Sequence, residues 1–132
     1  MAFEYRVSIQ FRHPNMDPDD IARHLDRQPV RSWRAGEPRT RPKGQPLGGN
    51  YRETYCAFDV GRGEDGELAS CLLDAVTEFE AAKAFFQQIR ATGGRINFYV
   101  TWRPGNRGEV FDIGLMSRMA EVGIDLGIEP LN

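Results

Sequence analysis

The chain has 132 residues, 40% of them hydrophobic and 27% charged, and its formal net charge is −2. This length fits a single domain, residues 1–132, with one core, and this composition is typical of globular rather than disordered chains. No apolar run approaches the roughly 20 residues that a membrane helix needs, so we expect no contact with a membrane. The net charge favours no class of partner by itself.

The N-terminus and the cysteines bear on the compartment. The first residues alternate apolar and polar side chains instead of forming a continuous apolar stretch, so we expect no signal peptide. The two cysteines, Cys56 and Cys71, would make one disulfide, which is a thin framework for a secreted domain of this size. Two reduced thiols in a cytoplasmic protein are the simpler interpretation.

A strand and a helix are predicted at the beginning of the chain. Apolar and polar side chains alternate over residues 3–12, which is typical of an antiparallel sheet with one buried and one wet face. Asp17 can cap the helix that follows, and Pro18 suits its first position. We expect this helix to end near Arg27, because a residue that precedes proline, here Pro29, disfavours helical backbone.

The next segment reads as a long loop. Residues 28–50 contain four prolines and four glycines, which break any periodicity. A loop of this length in a small domain is usually functional or disordered. A second strand is predicted over residues 51–60, followed by a turn over residues 61–66.

A long apolar helical face extends over residues 68–89. It predicts one long helix, or two helices broken near residues 77–78, with Asp65 as the N-terminal cap and glycines 93–94 at the end. After it we predict a strand over residues 96–102, a turn at 104–106, a hairpin partner strand over 110–113, a helix over 115–122 and a strand over 124–128. The order of elements predicts an α+β fold of two layers, in which a mostly antiparallel sheet of about five strands carries helices on one face.

Several segments resemble a family of small bacterial domains of unknown function that are about as long as this chain. The resemblance is carried by the opening strand, the helix start Met16–Leu25, the Gln28-Pro29 pair, the Trp33–Glu37 turn and the closing segment Leu115–Ile128. The chain departs from the family after the first helix, where Leu25-Asp26-Arg27 lacks the expected glycine. The resemblance implies the α+β fold and a bacterial setting, and it implies no activity and no catalytic residue.

Residues 27–43 are the most unusual stretch, with six basic residues against Glu37 alone. Six minus one gives +5 here, so the remainder of the chain totals −7. Guanidinium groups beside the ring of Trp33 can grip phosphates and stack on a base. The competing interpretation is a solvated loop folded over the acidic remainder, with Trp33 pinned into the core as a lid. The candidate binding residues in this stretch are Arg31, Trp33, Arg34, Arg39 and Arg41.

A second basic element follows Trp102 and adds Arg103 and Arg107 to the candidate binding residues. If this predicted hairpin tip lies beside residues 27–43, the two elements would form one pocket for an anionic ligand. An exposed turn without a binding role is the alternative.

Residues 61–66 match the dinucleotide-binding pattern G-x-G-x-x-G between a predicted strand and a predicted helix. Glu64 and Asp65 would place two carboxylates beside the pyrophosphate, and Trp102-Arg103 replaces the acid expected to bind the ribose. We therefore interpret the segment as a flexible turn and predict no cofactor.

No catalytic or metal-binding motif is recognisable. His13 and His24 are the only histidines, and the cysteines form no C-x-x-C pair, so we predict no metal site and place both thiols in the core. No serine lies in a nucleophile elbow. A small enzyme that uses His13 or His24 with an unrecognised acid stays open as an alternative.

Together these observations favour a non-catalytic binding module of regulatory or immunity type. Its basic loop would contact an acidic protein surface or a small anionic ligand. Nucleic acid is less favoured as a partner, because an acidic chain with one basic loop is a poor electrostatic footprint. A homodimer that pairs through an edge or a face of the half-covered sheet also stays open.

Overall fold

The structure, a computed structural model, describes residues 4–131, so Phe3 of the predicted first strand lies outside the described residues. A short 3-10 turn, Glu80–Ala82, separates the second and third helices. The elements in chain order are β1 (Tyr5–His13), α1 (Pro18–Leu25), β2 (Arg31–Trp33), β3 (Pro38–Thr40), β4 (Pro46–Asn50), β5 (Thr54–Gly63), α2 (Leu68–Phe79), α3 (Lys83–Ala91), β6 (Arg95–Trp102), α4 (Ile113–Val122) and β7 (Asp125–Pro130).

The main sheet has five strands in the order β2-β5-β1-β6-β7. All neighbouring strands are antiparallel except β6 and β7, which run parallel because α4 returns the chain across the sheet between them. This confirms the predicted α+β fold with a mostly antiparallel sheet. β3 and β4 pair separately as a two-stranded hairpin.

The core lies between the helices and the inward face of β1, the central strand. Val7, Ile9 and Phe11 of β1 are fully buried, as their alternation predicts, and the polar residues between them lie on the opposite, uncovered face. The Phe11 ring packs edge-on against Phe58 and Phe86, with centroid distances of 5.8 and 5.3 Å. Strand alternation therefore defines a covered face and an open face of the sheet.

Helix α1 begins as predicted and ends two residues early. The Asp17 carboxylate accepts the N–H of Asp19 at 3.0 Å, and Pro18 occupies the first helical position. Asp26 ends the helix in the left-handed conformation, with φ 51° and ψ 47°. Aspartate tolerates this conformation better than most residues. Asp26 thus takes the position at which a glycine was expected.

The long helical face divides into α2 and α3 a few residues after the predicted break. The prediction that Asp65 caps it was wrong. The Asp65 carboxylate instead accepts the N–H of Arg107 at 2.8 Å, and the Glu109 carboxylate accepts the N–H of Ala69 at 2.9 Å. Both bonds tie the segment between β6 and α4 to the beginning of α2.

The predicted strand over residues 110–113 and its hairpin were also wrong. Asp112 caps α4, because its carboxylate accepts the N–H of Leu115 at 2.8 Å, and the helix begins at Ile113. The neighbours of β6 in the sheet are β1 and β7. The apolar residues of this short segment belong to a helix start rather than to a strand.

Residues 28–50 are not a structureless loop, since they contain β2, β3 and β4. The second predicted strand starts three residues later than expected, at Thr54, and continues to Gly63. Strand β2 pairs with β5 at the edge of the main sheet, with Trp33 opposite Tyr55.

Candidate functional site

Residues 34–52 form a projecting element, which we call the arm. Its centre is the hairpin of β3 and β4, and every residue from Gly36 to Asn50 is exposed. The base of the arm is closed by backbone bonds in which Gly36 donates to the carbonyl of Tyr51 and Tyr51 donates to that of Glu37, both at 2.9 Å. Gly36 has a φ of 88°, which suits glycine at this turn. The arm is therefore an ordered hairpin outside the main sheet.

An aromatic stack joins the arm to the edge of the sheet. The Trp33 ring stacks on Tyr51 and on Tyr55, with centroid distances of 4.4 and 4.7 Å. The indole N–H of Trp33 donates to the carbonyl of Glu53 at 3.1 Å. The Tyr51 hydroxyl accepts the N–H of Thr40 and donates to its carbonyl, at 3.2 Å each. Tyr51 thereby connects the hairpin to Trp33, which lies over the sheet edge rather than in the core.

We expect Tyr51→Phe to loosen the arm without unfolding the domain. The change removes both hydrogen bonds to Thr40 and keeps the ring stack, which costs about 1 kcal/mol in local stability. Amide hydrogen exchange in residues 38–50 should accelerate about fivefold, while exchange in β1 stays unchanged. Tyr55→Phe is the matched control, and equal acceleration in both variants would contradict the role of the Tyr51 hydroxyl.

Buried Thr54 fixes the base of the arm, and sequence reasoning missed it. Its hydroxyl donates to the carbonyl of Met16 at 2.6 Å and accepts the N–H of Ala35 at 3.1 Å. The Thr54 side chain of β5 thus connects the residue before α1, Met16, to the start of the arm at Ala35. No local pattern marks this role, because a threonine in a strand is ordinary.

The arginines of the arm fall into paired and unpaired groups. Arg34 lies 3.5 Å from the Asp17 carboxylate. Arg31 of β2, just outside the arm, lies over the Trp33 ring at 5.0 Å from its centroid. Four exposed cations of the arm have no carboxylate within ion-pair distance among residues 4–131. They are Arg39, Arg41, Lys43 and Arg52. The arm therefore presents an uncompensated positive surface.

The open face of the sheet beside the stack instead carries two arginines that share one carboxylate. Arg12 lies over the Tyr55 ring at 5.0 Å and 3.7 Å from the Glu53 carboxylate. Arg95 contacts the same carboxylate at 3.2 Å. The two arginines beside the stack are thus engaged by Glu53, whereas the four cations of the arm are paired with no carboxylate among residues 4–131.

Arg103 and Arg107 lie at the opposite end of the sheet from the arm. They follow Trp102, which pairs with Tyr5 at the start of β1. Trp33 instead reaches the far end of β1 through Tyr55, the partner of Arg12. Seven residues of strand separate these two ends of β1, a span of about 23 Å. The two basic elements therefore do not form one pocket.

The glycines of the G-x-G-x-x-G pattern have a packing role. Gly61 and Gly63 lie in β5 opposite Val7 and Tyr5, so the predicted turn begins only after them. A Cβ at Gly63 would come within 2.5 Å of the Tyr5 hydroxyl, and one at Gly61 within 3.0 Å of the Cys71 sulfur. These positions leave room for neighbouring side chains rather than for a pyrophosphate.

Neither histidine contacts a carboxylate among residues 4–131. His13 is buried, its Nδ1 accepts the N–H groups of Asn15 and Met16, and its Nε2 bonds to the Thr92 hydroxyl at 2.8 Å. His24 is exposed and stacks on a phenylalanine of α3. General acid–base chemistry needs a titratable group that faces a substrate, and His13 faces only its structural partners.

Both cysteine thiols are free. Burial raises the pKa of Cys56 to about 12 and raises that of Cys71 above its usual value. Since the thiolate is the reactive form, neither thiol is activated as a nucleophile. Among residues 4–131, no three His, Cys, Asp or Glu side chains lie close enough to hold a metal ion, and no helix is long and apolar enough to cross a membrane.

Comparison with known proteins gives no assignment, since no family model, no curated protein and no solved structure matches the chain. The resemblance to a bacterial family of unknown function therefore stays a prediction. What the site can do follows from the geometry and charge of the arm.

Proposed function

We propose that the chain is a non-catalytic binding module whose arm docks on an acidic surface of a partner protein. A regulatory or immunity-type role in the bacterial cytoplasm fits such a module. The observation that carries the proposal is the exposed but anchored arm, on which four cations have no ion pair within the described part of the chain. They are Arg39, Arg41, Lys43 and Arg52. Charged groups that gain partners only on docking contribute to recognition and to the association rate.

The anchoring of the arm supports binding because it reduces the entropy lost on docking. The stack of Trp33 on Tyr51 and the hydroxyl of Thr54 hold the base in one orientation. A preorganised segment loses less conformational freedom when a partner immobilises it. The cations of the hairpin are thus presented by a defined surface rather than by a random loop.

An acidic protein surface fits the arm better than the other two classes of partner. Small-molecule sites are concave, whereas residues 36–50 are all exposed on a projecting hairpin. Single-stranded nucleic acid needs free aromatic faces along a basic groove. Here Trp33 already stacks on two tyrosines, and the chain outside residues 27–43 carries a net charge of −7.

The test compares two variants that lose the same charge. The arm variant carries Arg39→Ser, Arg41→Ser and Lys43→Ser, and the control variant carries serine at three exposed arginines from the other end of the sheet. Nuclease-treated native lysate supplies the partner, whose affinity for each protein is then measured with purified material. We expect the arm variant to bind about 100-fold more weakly and the control to bind as wild type does. The control positions are Arg6, Arg103 and Arg107.

The control also decides whether Arg103 and Arg107 belong to the site. Equal losses in both variants would show a response to net charge and contradict docking through the arm. Loss of all captured material on nuclease treatment would favour nucleic acid, whose binding should then fall steeply with salt.

A further inference from the structure

The two edge strands of the main sheet differ in how open they are to pairing with another chain. At one edge, β2 has only three residues and adjoins the arm. At the other edge, β7 is six residues long, contains no lysine or arginine, and has β6 as its one neighbour among the described strands. Unpaired edges are templates for pairing with another chain. The two charged residues of β7, Asp125 and Glu129, alternate with Leu126 and Ile128, so their side chains lie on the opposite face of the sheet from these apolar residues.

Hydrogen bonding shows which backbone groups the free edge presents. The N–H of Leu131 donates to the carbonyl of Trp102 at 2.7 Å, so this residue points toward β6. Because orientation alternates along a strand, Leu126 and Ile128 point their N–H and C=O groups away from β6. Pro130 points the same way, and its missing N–H costs no bond to β6. The free edge therefore offers two donors and three acceptors.

An exposed apolar flank lies beside this edge. Arg118 of α4 forms an ion pair with Glu80, next to α2. Helical spacing places Met116 on the flank of α4 opposite Arg118, away from α2 and toward the β7 side of the helix layer, whereas Ile113 points outward from the sheet. Ile113 is 82% exposed and Met116 is 53% exposed. Ile128 pairs with buried Val100, so its side chain lies on this same face of the sheet, and it is 39% exposed.

We propose that β7 pairs antiparallel with β7 of a second copy of this chain across a two-fold axis. The pairing joins two five-stranded sheets into one and keeps both helix layers on the same side. The flanks of the two α4 helices then face each other over the junction, which covers Met116 and Ile128. Edge pairing and apolar burial are satisfied by the same contact, as expected of an isologous interface.

Charge selects the register of this pairing. An axis at Gly127 would set Asp125 opposite Glu129 of the second copy, twice, and like charges directly opposite are destabilising. An axis at Ile128 sets Ile128 opposite itself and Gly127 opposite Glu129, so no like charges meet. In that register each Ile128 N–H donates to the Ile128 carbonyl of the other copy. An axis at Leu126 also keeps like charges apart, but it pairs only residues 125–127 of the two strands, whereas an axis at Ile128 pairs residues 126–130. The axis therefore passes beside Ile128.

The dimer does not depend on the proposed function of the arm. The arm adjoins β2, and β2 and β7 are the two opposite edges of the sheet. Two copies joined at β7 keep both arms free at the outer ends. Loss of dimerisation and loss of partner binding are thus separate results.

The experiment uses a residue that faces itself across the axis. Ile128→Lys and Ile128→Glu each place two like charges together, so each variant alone should dissociate at least about 100-fold more easily than wild type. Mixed in equal amounts, the two variants should form a dimer again, because lysine then faces glutamate. Sedimentation velocity compares wild type, each variant alone and the mixture. The control variant is Val30→Lys, at a 59% exposed position just before β2, and it should stay dimeric.

Three results would overturn the proposal. They are a wild-type monomer up to about 1 mM, a dimer that Ile128→Lys leaves intact, and a mixture of the two charge variants that stays monomeric. Restoration in the mixture excludes misfolding as the cause of dissociation, since a misfolded variant would not recover on mixing.

Discussion

Thr54→Val is expected to lower the free energy of unfolding by about 3 kcal/mol. Valine has nearly the shape of threonine, so the core stays filled, but the hydroxyl is lost. The carbonyl of Met16 and the N–H of Ala35 then lose their bonds to a fully buried side chain. A buried polar group without a partner costs about 1–3 kcal/mol, which makes this a large effect for a change of one atom.

Urea unfolding of Thr54→Val, Thr54→Ser and wild type measures this effect. Serine keeps the hydroxyl and should recover most of the loss, whereas Thr101→Val on the half-exposed face of β6 should change stability little. The arm should also be less stable in Thr54→Val, because Ala35 lies at its base. If valine and serine at position 54 are equally stable, the hydroxyl does not hold the base of the arm.

The parts of the fold that were predicted have strong local signals. The alternation in β1 predicts which face is buried because a side chain in a strand points to one side or the other. The start of α1 is predicted because Asp17 and Pro18 act on the nearest backbone groups. These signals lie within a few residues of the structure that they determine.

The arm could not be predicted because its strands have no buried face. All residues of β3 and β4 are exposed, so hydrophobic alternation is absent. Gly48 and Gly49 have positive φ inside β4, which reads in sequence as a break. The basic charge of the segment was recognised, whereas its anchoring by Tyr51 and Trp33 depends on contacts between residues 18 positions apart.

The segment before α4 shows how short apolar runs mislead. Val110 to Ile113 suits a strand as well as a helix start, and four residues cannot distinguish the two periods. The Asp112 carboxylate caps the N-terminus of α4 and thereby favours the helix. Similarly, the bonds of Thr54 and His13 connect residues 38 and 79 positions apart, which no local pattern reveals.

His13 should make the stability of the domain depend on pH. Its Nδ1 accepts two backbone N–H groups, so the proton is on Nε2, which donates to the Thr92 hydroxyl. Burial lowers the pKa of His13 below its ordinary value of 6.5. The unfolded chain therefore binds a proton more readily than the folded one as the pH falls. The contribution of neutral His13 is complete above the unfolded pKa and is lost as the pH falls through the folded pKa.

The matched variant is His13→Asn, in which the amide oxygen replaces Nδ1 as acceptor and no titration remains. We expect the free energy of unfolding to fall more for wild type than for His13→Asn between pH 7.5 and pH 5.5. This interval brackets the ordinary histidine pKa of about 6.5. His13→Ala, which leaves three polar groups without their partner, should cost about 3 kcal/mol even at pH 7.5. His24 is present in all of these proteins, so the difference isolates His13. Parallel pH profiles for wild type and His13→Asn would mean that a protonated His13 is accommodated, and that its two backbone donors turn away from the ring.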